Sequence, residues 1–255
     1  MSTVLVERHG AVGVVKINRP EVKNALNPSA LRELSSALRR FEREDSVHSV
    51  VLGGEGGCFT TGDDLSETVR MDAGGLAEMI ESFQSITRVL RGLPQPVVAA
   101  VEGYAVGGGL EIAACCDIRV VSEETRLFCP EVSLGLLMSN ASSALLPRLI
   151  GAGHARDLML TGSRFDVVWA ERVGFAQRVV PRGQAIAAAI EVASDIAGAN
   201  PDAVRMTKRL LNRGEDTEVE AALAAETEAT LAAFERPDVV AAMRGELERW
   251  AARRR

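Results

Sequence analysis

The stretch from Pro96 to Glu111, Pro-Val-Val-Ala-Ala-Val-Glu-Gly-Tyr-Ala-Val-Gly-Gly-Gly-Leu-Glu, constrains the fold more than any other. Val97 to Val101 reads as a buried strand, and Gly107-Gly108-Gly109 then opens a compact helix of small and apolar residues from Leu110 to Cys116. Glycines at such a junction let a ligand approach the backbone. The helix start leaves N–H groups unpaired at the positive end of the dipole. That arrangement suits an anion or a developing oxyanion. Glu111 falls about one turn into the helix. On the residues alone two readings stay open: a reacting carboxylate beside an anion site, or a tight strand–helix junction with a capping-type glutamate.

The rest of the first 182 residues repeats this alternation. Val4 to Val6 and Val12 to Ile17 predict a hairpin around His9-Gly10. Asn27-Pro28 opens a helix with Leu31, Leu34, Leu38 and Phe41 at helical spacing. A short strand over Ser49 to Leu52, a helix from about Leu76 to Leu90, a strand over Ile118 to Val121, and helices over Ser142 to Ile150 and Ala155 to Thr161 follow. Strands alternating with helices predict an α/β core over residues 1–182. From Gly183 the pattern turns helical, with helices expected over Ile186–Ala197, Pro201–Arg213, Val219–Phe234 and Val239–Arg253. The expected division is therefore 1–182 and a helical region, 183–255, that packs on its own core or on a neighbouring subunit. The closing Arg253-Arg254-Arg255 reads as a solvated end.

Composition narrows the function classes. The net charge of −6 argues against nucleic acid as a partner, since phosphate binding needs clustered Lys and Arg. No apolar run reaches the roughly 20 residues of a membrane helix, and Met1 to His9 lacks the apolar core of a secretory signal. Cys58, Cys115, Cys116 and Cys129 form no Cys-x-x-Cys pair, and read as buried free thiols of a reducing cytoplasm. His9, His48 and His154 are scattered, so no histidine metal site is expected. Ser139, Ser142 and Ser143 precede His154 and Asp157 without a Gly-x-Ser-x-Gly elbow, and read as helix-surface residues. No dinucleotide or phosphate-loop glycine pattern occurs.

Two further segments could carry chemistry. Phe59-Thr-Thr-Gly-Asp-Asp-Leu65 follows the Ser49–Leu52 strand; Gly62 and the backbone of Asp63 could supply another N–H donor, or the aspartates could be a turn and an N-cap. Glu131, within Phe128-Cys-Pro-Glu-Val132, has apolar neighbours. Burial raises a carboxyl pKa and suits proton donation near neutral pH, and a paired structural glutamate is the other reading.

Taken together these segments resemble the crotonase superfamily, the enoyl-CoA hydratase/isomerase family. The resemblance runs through Asn18 to Leu26, Phe59 to Leu65, Gly103 to Asp117, Pro130 to Gly135 and Leu146 to Gly151, and so covers nearly the whole chain. It implies an α/β fold, a crotonase-type spiral of ββα turns with a C-terminal helical region, assembled as a homotrimer or a dimer of trimers (a homohexamer). It implies an oxyanion hole from the N–H groups of Asp63 and Gly108, and a coenzyme-A site lined by Val22, Thr61, Asp63, Asp64, Leu65, Ser66, Gly107 and Gly108. Glu111 and Glu131 match both glutamates of the hydratases. The implied activity is a hydro-lyase of fatty acid metabolism that adds water to a 2-enoyl-CoA, with no metal and no cofactor beyond the CoA of the substrate. An isomerase or thioester hydrolase of the same fold, or a catalytically weak acyl-CoA-binding protein, are the alternatives. This chain departs from the family where relatives carry Pro-Gly-x-Gly-Gly and it reads Met138-Ser-Asn-Ala-Ser142. It departs again at Asp63, usually a small residue, at Ser66, where a basic residue is frequent, and in the ending of its last helix.

Overall fold

A computed structural model describes residues 2–252; the three closing arginines lie outside them. The elements run β1 (Val4–His9), β2 (Val12–Ile17), α1 (Pro28–Arg40), β3 (Ser49–Gly54), α2 (Leu65–Thr68), α3 (Ala73–Gly92), β4 (Val97–Val101), β5 (Tyr104–Val106), α4 (Gly108–Cys115), β6 (Ile118–Ser122), β7 (Arg126–Phe128), α5 (Ser142–Ile150), α6 (Ala152–Thr161), β8 (Arg164–Phe165), α7 (Val167–Arg172) and β9 (Arg178–Val180). Four helices follow: α8 (Ala185–Ala197), α9 (Pro201–Arg213), α10 (Asp216–Phe234) and α11 (Pro237–Ala252).

One sheet has the order β1-β2-β3-β4-β6-β9, parallel beyond the β1–β2 hairpin, and a smaller one has the order β5-β7-β8. Consecutive strands β4 and β5, and then β6 and β7, each send one strand to each sheet before a helix follows. Thr60 bridges Ala105, so the turn after β3 joins the second layer in the same way. That repetition is the ββα spiral, and it stacks the connections after β3, β4 and β6 at one place.

The continuous apolar runs of these strands follow from cover on both faces. Val12, Val14, Val51, Val98, Ala100 and Val120 meet Ala185, Ala189 and Ala193 of α8. Val15, Ile17, Leu52, Ala99, Val101 and Val121 point the other way, into the main core with α1, α3 and α4. The period-two alternation along β4 is therefore between two apolar environments. On α1, Asn27 caps the Ala30 N–H at 2.9 Å, Pro28 opens the helix, and Leu31, Leu34 and Leu38 are buried.

Helix α9 is anchored by a buried cation. Lys208 Nζ donates to the carbonyls of Leu90 (2.9 Å) and Gln95 (3.1 Å) and to Asp117 Oδ2 (2.7 Å). Asp117 in turn accepts from the Val97 N–H at the head of β4. Removing the lysine takes a donor from the Leu90 and Gln95 carbonyls and leaves Asp117, partly exposed, with the Val97 N–H. Lys208→Ala is expected to lower unfolding stability by about 3 kcal/mol in urea titration; a loss under about 1 kcal/mol would mean that α9 is held by apolar contacts alone.

The short strands β7, β8 and β9, of two or three residues each, carry no readable period and were not expected from the sequence. Helix α6 begins at Ala152 and takes in Gly153, ahead of the start expected at Ala155. Among the described residues no helix is long and apolar enough to cross a membrane.

Candidate active site

The Phe59–Leu65 turn is held from beneath by Asn24, buried at φ +56. Its side chain accepts from the Arg19 N–H (2.7 Å) and donates to the carbonyls of Glu55 (2.9 Å) and Cys58 (2.6 Å). Thr60 Oγ1 donates to the Asn24 carbonyl and accepts from the Gly62 N–H. The Leu26 N–H donates to the Gly62 carbonyl, and the Asp64 N–H to the Leu26 carbonyl. These bonds use the amides on either side of Asp63 and pass over its own.

Gly62 brings this turn onto the start of α4. It sits at φ +74, and a Cβ there would stand 2.5 Å from the Val106 carbonyl oxygen and 2.8 Å from the Gly108 nitrogen. Only glycine permits that approach. Gly108 is the first residue of α4, where a helix leaves its N–H groups without an internal acceptor. Among the described residues neither the Asp63 nor the Gly108 N–H donates to a protein acceptor. The two donors expected from the sequence are thus brought side by side at a helix N-terminus.

Glu111 is buried one turn further along α4. Its Oε1 accepts from the Ser139 N–H (3.0 Å), the Asn140 N–H (3.1 Å) and the Ser142 hydroxyl (2.7 Å), and its Oε2 from Asn140 Nδ2 (3.1 Å). Burial pushes this carboxyl up to about 8, the negative charge of Glu226 adds to the rise, and the bonds from Ser142 and Asn140 oppose it. Glu131 opens a 3-10 turn, Glu131–Leu134, that follows Pro130. Its carboxyl faces Gly107, where a Cβ would stand 2.7 Å from Oε1. Its Oε2 is buried with no hydrogen-bond partner among the described residues. Burial first, and the charge of Glu111 second, hold Glu131 well above the usual carboxylate range.

The structure therefore brings Glu111 close enough for its charge to act on Glu131, in unlike surroundings. Four donors favour the ionised form of Glu111, whereas nothing stabilises a charge on Glu131 Oε2. That difference in hydrogen bonding favours the proton on Glu131 when the pair carries one. Asp63 joins them: burial and the charge of Asp64 push its carboxyl up to about 7, and its charge raises both glutamates in turn.

The remaining site residues fall around this centre. Thr61 is partly buried and its N–H donates to the carbonyl of Lys23, the residue that follows partly buried Val22. Asp64 is buried and committed within the protein, paired with Arg19 at 3.1 Å and accepting from Ser66 Oγ at 2.6 Å. Leu65 packs with Leu76, Leu134, Phe234 and Val239 under α11, and Ser66 is exposed. Gly107, at φ +53, forms the junction itself.

One reading is corrected. Ser142 is no surface residue: it is buried at the start of α5 with its hydroxyl on Glu111, while exposed His154 packs edge-on to Trp169 at 5.3 Å. The segment that departs from the family pattern, Met138 to Ser142, supplies all four donors to Glu111. Sequence reasoning missed these donors because backbone N–H groups carry no residue signature, and missed Glu226 because it is one of several glutamates on an alanine-rich helix. Among the described residues no three His, Cys, Asp or Glu side chains are placed to hold a metal ion.

Comparison with known proteins gives a consistent answer. A family model described as enoyl-CoA hydratase/isomerase matches residues 7–252. The chain is 36% identical over 250 residues to a short-chain-enoyl-CoA hydratase of Clostridium acetobutylicum, covering 98% of this chain and 96% of that one. It is 30% identical over 247 residues to a crotonyl-CoA hydratase of Syntrophomonas wolfei, covering 96% and 95%. The crystal structure of an enoyl-CoA hydratase/isomerase from Mycobacterium paratuberculosis superposes with a TM-score of 0.89 at 28% identity, covering 96% of this chain and 98% of that one. With nearly its whole length matched in sequence and in fold, the chain belongs to the enoyl-CoA hydratase/isomerase family, the crotonase superfamily.

Proposed function

We propose that this protein is an enoyl-CoA hydratase, adding water across the 2,3 double bond of a 2-enoyl-CoA to give the 3-hydroxyacyl-CoA. The observation that carries the reading is the asymmetric glutamate pair: Glu111 gripped by four donors and Glu131 by none at Oε2, beside two unpaired N–H groups. The thioester carbonyl accepts from the Asp63 and Gly108 N–H groups, which draws electron density from C3. Glu111, ionised, takes a proton from water as its oxygen bonds to C3. The negative charge passes to the thioester oxygen, where the two N–H donors stabilise it by a few kcal/mol each. Glu131 then delivers its proton to C2. Water's oxygen and one hydrogen end on C3, one hydrogen ends on C2, and the glutamates exchange protonation states until solvent resets them.

Val22, Thr61, Asp63 to Ser66 and Gly107 line the coenzyme-A side in this reading. Because the Asp64 carboxylate is held by Arg19 and Ser66, its share is limited to backbone. The proposal extends to a homotrimer or dimer of trimers, for which exposed Met206, Leu210 and Leu211 on α9 offer an apolar face, and to a reducing cytoplasmic setting, which the four buried free thiols support.

Incubation with crotonyl-CoA and longer 2-enoyl-CoAs, with products read by mass spectrometry, tests the activity. A gain of one water with the thioester intact is the expected result; free CoA or an unhydrated, double-bond-shifted isomer would replace the reading with hydrolase or isomerase. The pH profile follows from the roles. Activity requires ionised Glu111 and protonated Glu131, so kcat/KM rises with pH toward about 8 and falls again once Glu131 loses its proton. Ser142→Ala removes a donor that favours ionised Glu111. The rising limb is expected to move to higher pH by about one unit; an unmoved limb would mean that Glu111 is not the group it reports.

A further inference from the structure

Helix α5 begins at Ser142 immediately after Ala141, which holds φ +60, a left-handed conformation unfavourable for any residue with a Cβ. No side chain of its own caps this helix. The cap comes from α10. Glu226, buried, accepts the Ala141 N–H on Oε2 at 2.7 Å and the Ser143 N–H on Oε1 at 2.8 Å. A carboxylate there also meets the positive end of the α5 dipole. Between those two amides stands Ser142, whose hydroxyl reaches Glu111 Oε1, and just before them stand the Ser139 and Asn140 N–H groups that reach the same oxygen.

Helix α3 completes the hold from the other side. Gln84 Nε2 donates to the carbonyls of Ser139 (3.1 Å) and Leu223 (2.9 Å), which ties the turn to α10. Thr87 Oγ1 lies 3.4 Å from Asn140 Oδ1, an arrangement that turns Asn140 Nδ2 toward Glu111 Oε2. The turn is strained, gripped on its outer side by one carboxylate, and uses its inner side to grip another.

We propose that Glu226 is a positioning residue for the hydration reaction: by clamping the Ala141 and Ser143 N–H groups it fixes the Ser139–Ser142 donors on Glu111. It touches no substrate: it acts through the turn, and its charge adds separately to the rise of the Glu111 carboxyl. The inference rests on the hydratase reading of Glu111.

Glu226→Gln tests it, because an amide has one oxygen for two N–H groups and sets its own NH2 against the other. With crotonyl-CoA, kcat is expected to fall about tenfold or more with KM within about twofold. In a Glu111→Gln background the same change should cost less than about twofold further, since both act through one carboxylate. Backbone amide exchange over residues 138–145 of the resting protein should quicken in Glu226→Gln. Equal kcat losses in both backgrounds, or unchanged exchange in that segment, would overturn the proposal. Glu226→Asp, which keeps the charge but shortens the reach, takes the same measurements if the amide variant does not fold. If the wild-type chain hydrates no enoyl-CoA, the hydratase reading falls, and the exchange measurement by itself still decides whether Glu226 clamps the turn.

Discussion

Glu131→Gln is expected to lower kcat for enoyl-CoA hydration by about 10³-fold while KM stays within a few-fold, as for an interaction made only in the transition state. The amide keeps the shape of the carboxyl and contacts the same Gly107 backbone, but holds no transferable proton for C2. Glu111→Gln is expected to lose as much, for the opposite reason: the amide cannot accept water's proton. A Glu131→Gln enzyme within about tenfold of wild type would exclude Glu131 as the acid. The same variant carries an opposite stability effect. Glu131 binds its proton more tightly in the folded chain than at its ordinary value of 4.5. Its contribution is therefore fully present below about pH 4.5 and is lost as pH rises toward the higher folded value. A glutamine has no proton to lose. Melting temperatures of variant and wild type should converge near pH 4.5, with the variant the more stable by pH 8, as for sites that hold an unfavourable group for function.

Gly62→Ala is expected to reduce kcat by about 10²–10³-fold, the loss associated with one oxyanion donor. Its Cβ would enter the space of the Val106 carbonyl and the Gly108 nitrogen, at 2.5 and 2.8 Å, and both are backbone atoms that cannot rotate aside. Relief requires the 59–65 turn to lift from the α4 start, which separates the Asp63 and Gly108 N–H groups. Gly57→Ala is the control. Gly57 has nearly the same φ, +70 against +74, but nothing lies within 4 Å of a Cβ there. It should cost about 1 kcal/mol of stability for the left-handed conformation and leave kcat unchanged. If both variants lose activity alike, backbone strain and not donor geometry is responsible.

Much of the fold was legible because its signals are local. Asn27-Pro28 with Leu31, Leu34 and Leu38 is a cap and an apolar stripe within four turns, and the structure forms that helix. The run from Val97 to Glu111 contains its own strand, its own glycine junction and its own helix start, and α4 begins at Gly108. Strands of two or three residues such as β8 hold no such signal; Phe165 pairs with Leu127 only because the spiral brings them together. Ser142 shows the same limit at the site. Beside His154 and Asp157 in sequence it read as one of three surface serines, and it became buried only once α5 packed against α4.

The sequence by itself determined which backbone could present unpaired N–H groups, which carboxyls stood near them along the chain, and to which family such an order of motifs belongs. Those properties follow from residue type and near-neighbour geometry, the glycines at 62 and 107 above all. Tertiary structure alone decided how the carboxyls differ. Glu111 and Glu131 are the same residue type, and they diverge because the Ser139–Asn140 turn and the first residue of α5 set four donors on one while the other is left with a bare buried oxygen. That difference is made across 28 to 31 residues for the donors to Glu111, and across 83 and 85 residues for the clamp of Glu226. Hydrogen bonds over such separations exist only after the layers have packed, and no local pattern encodes them.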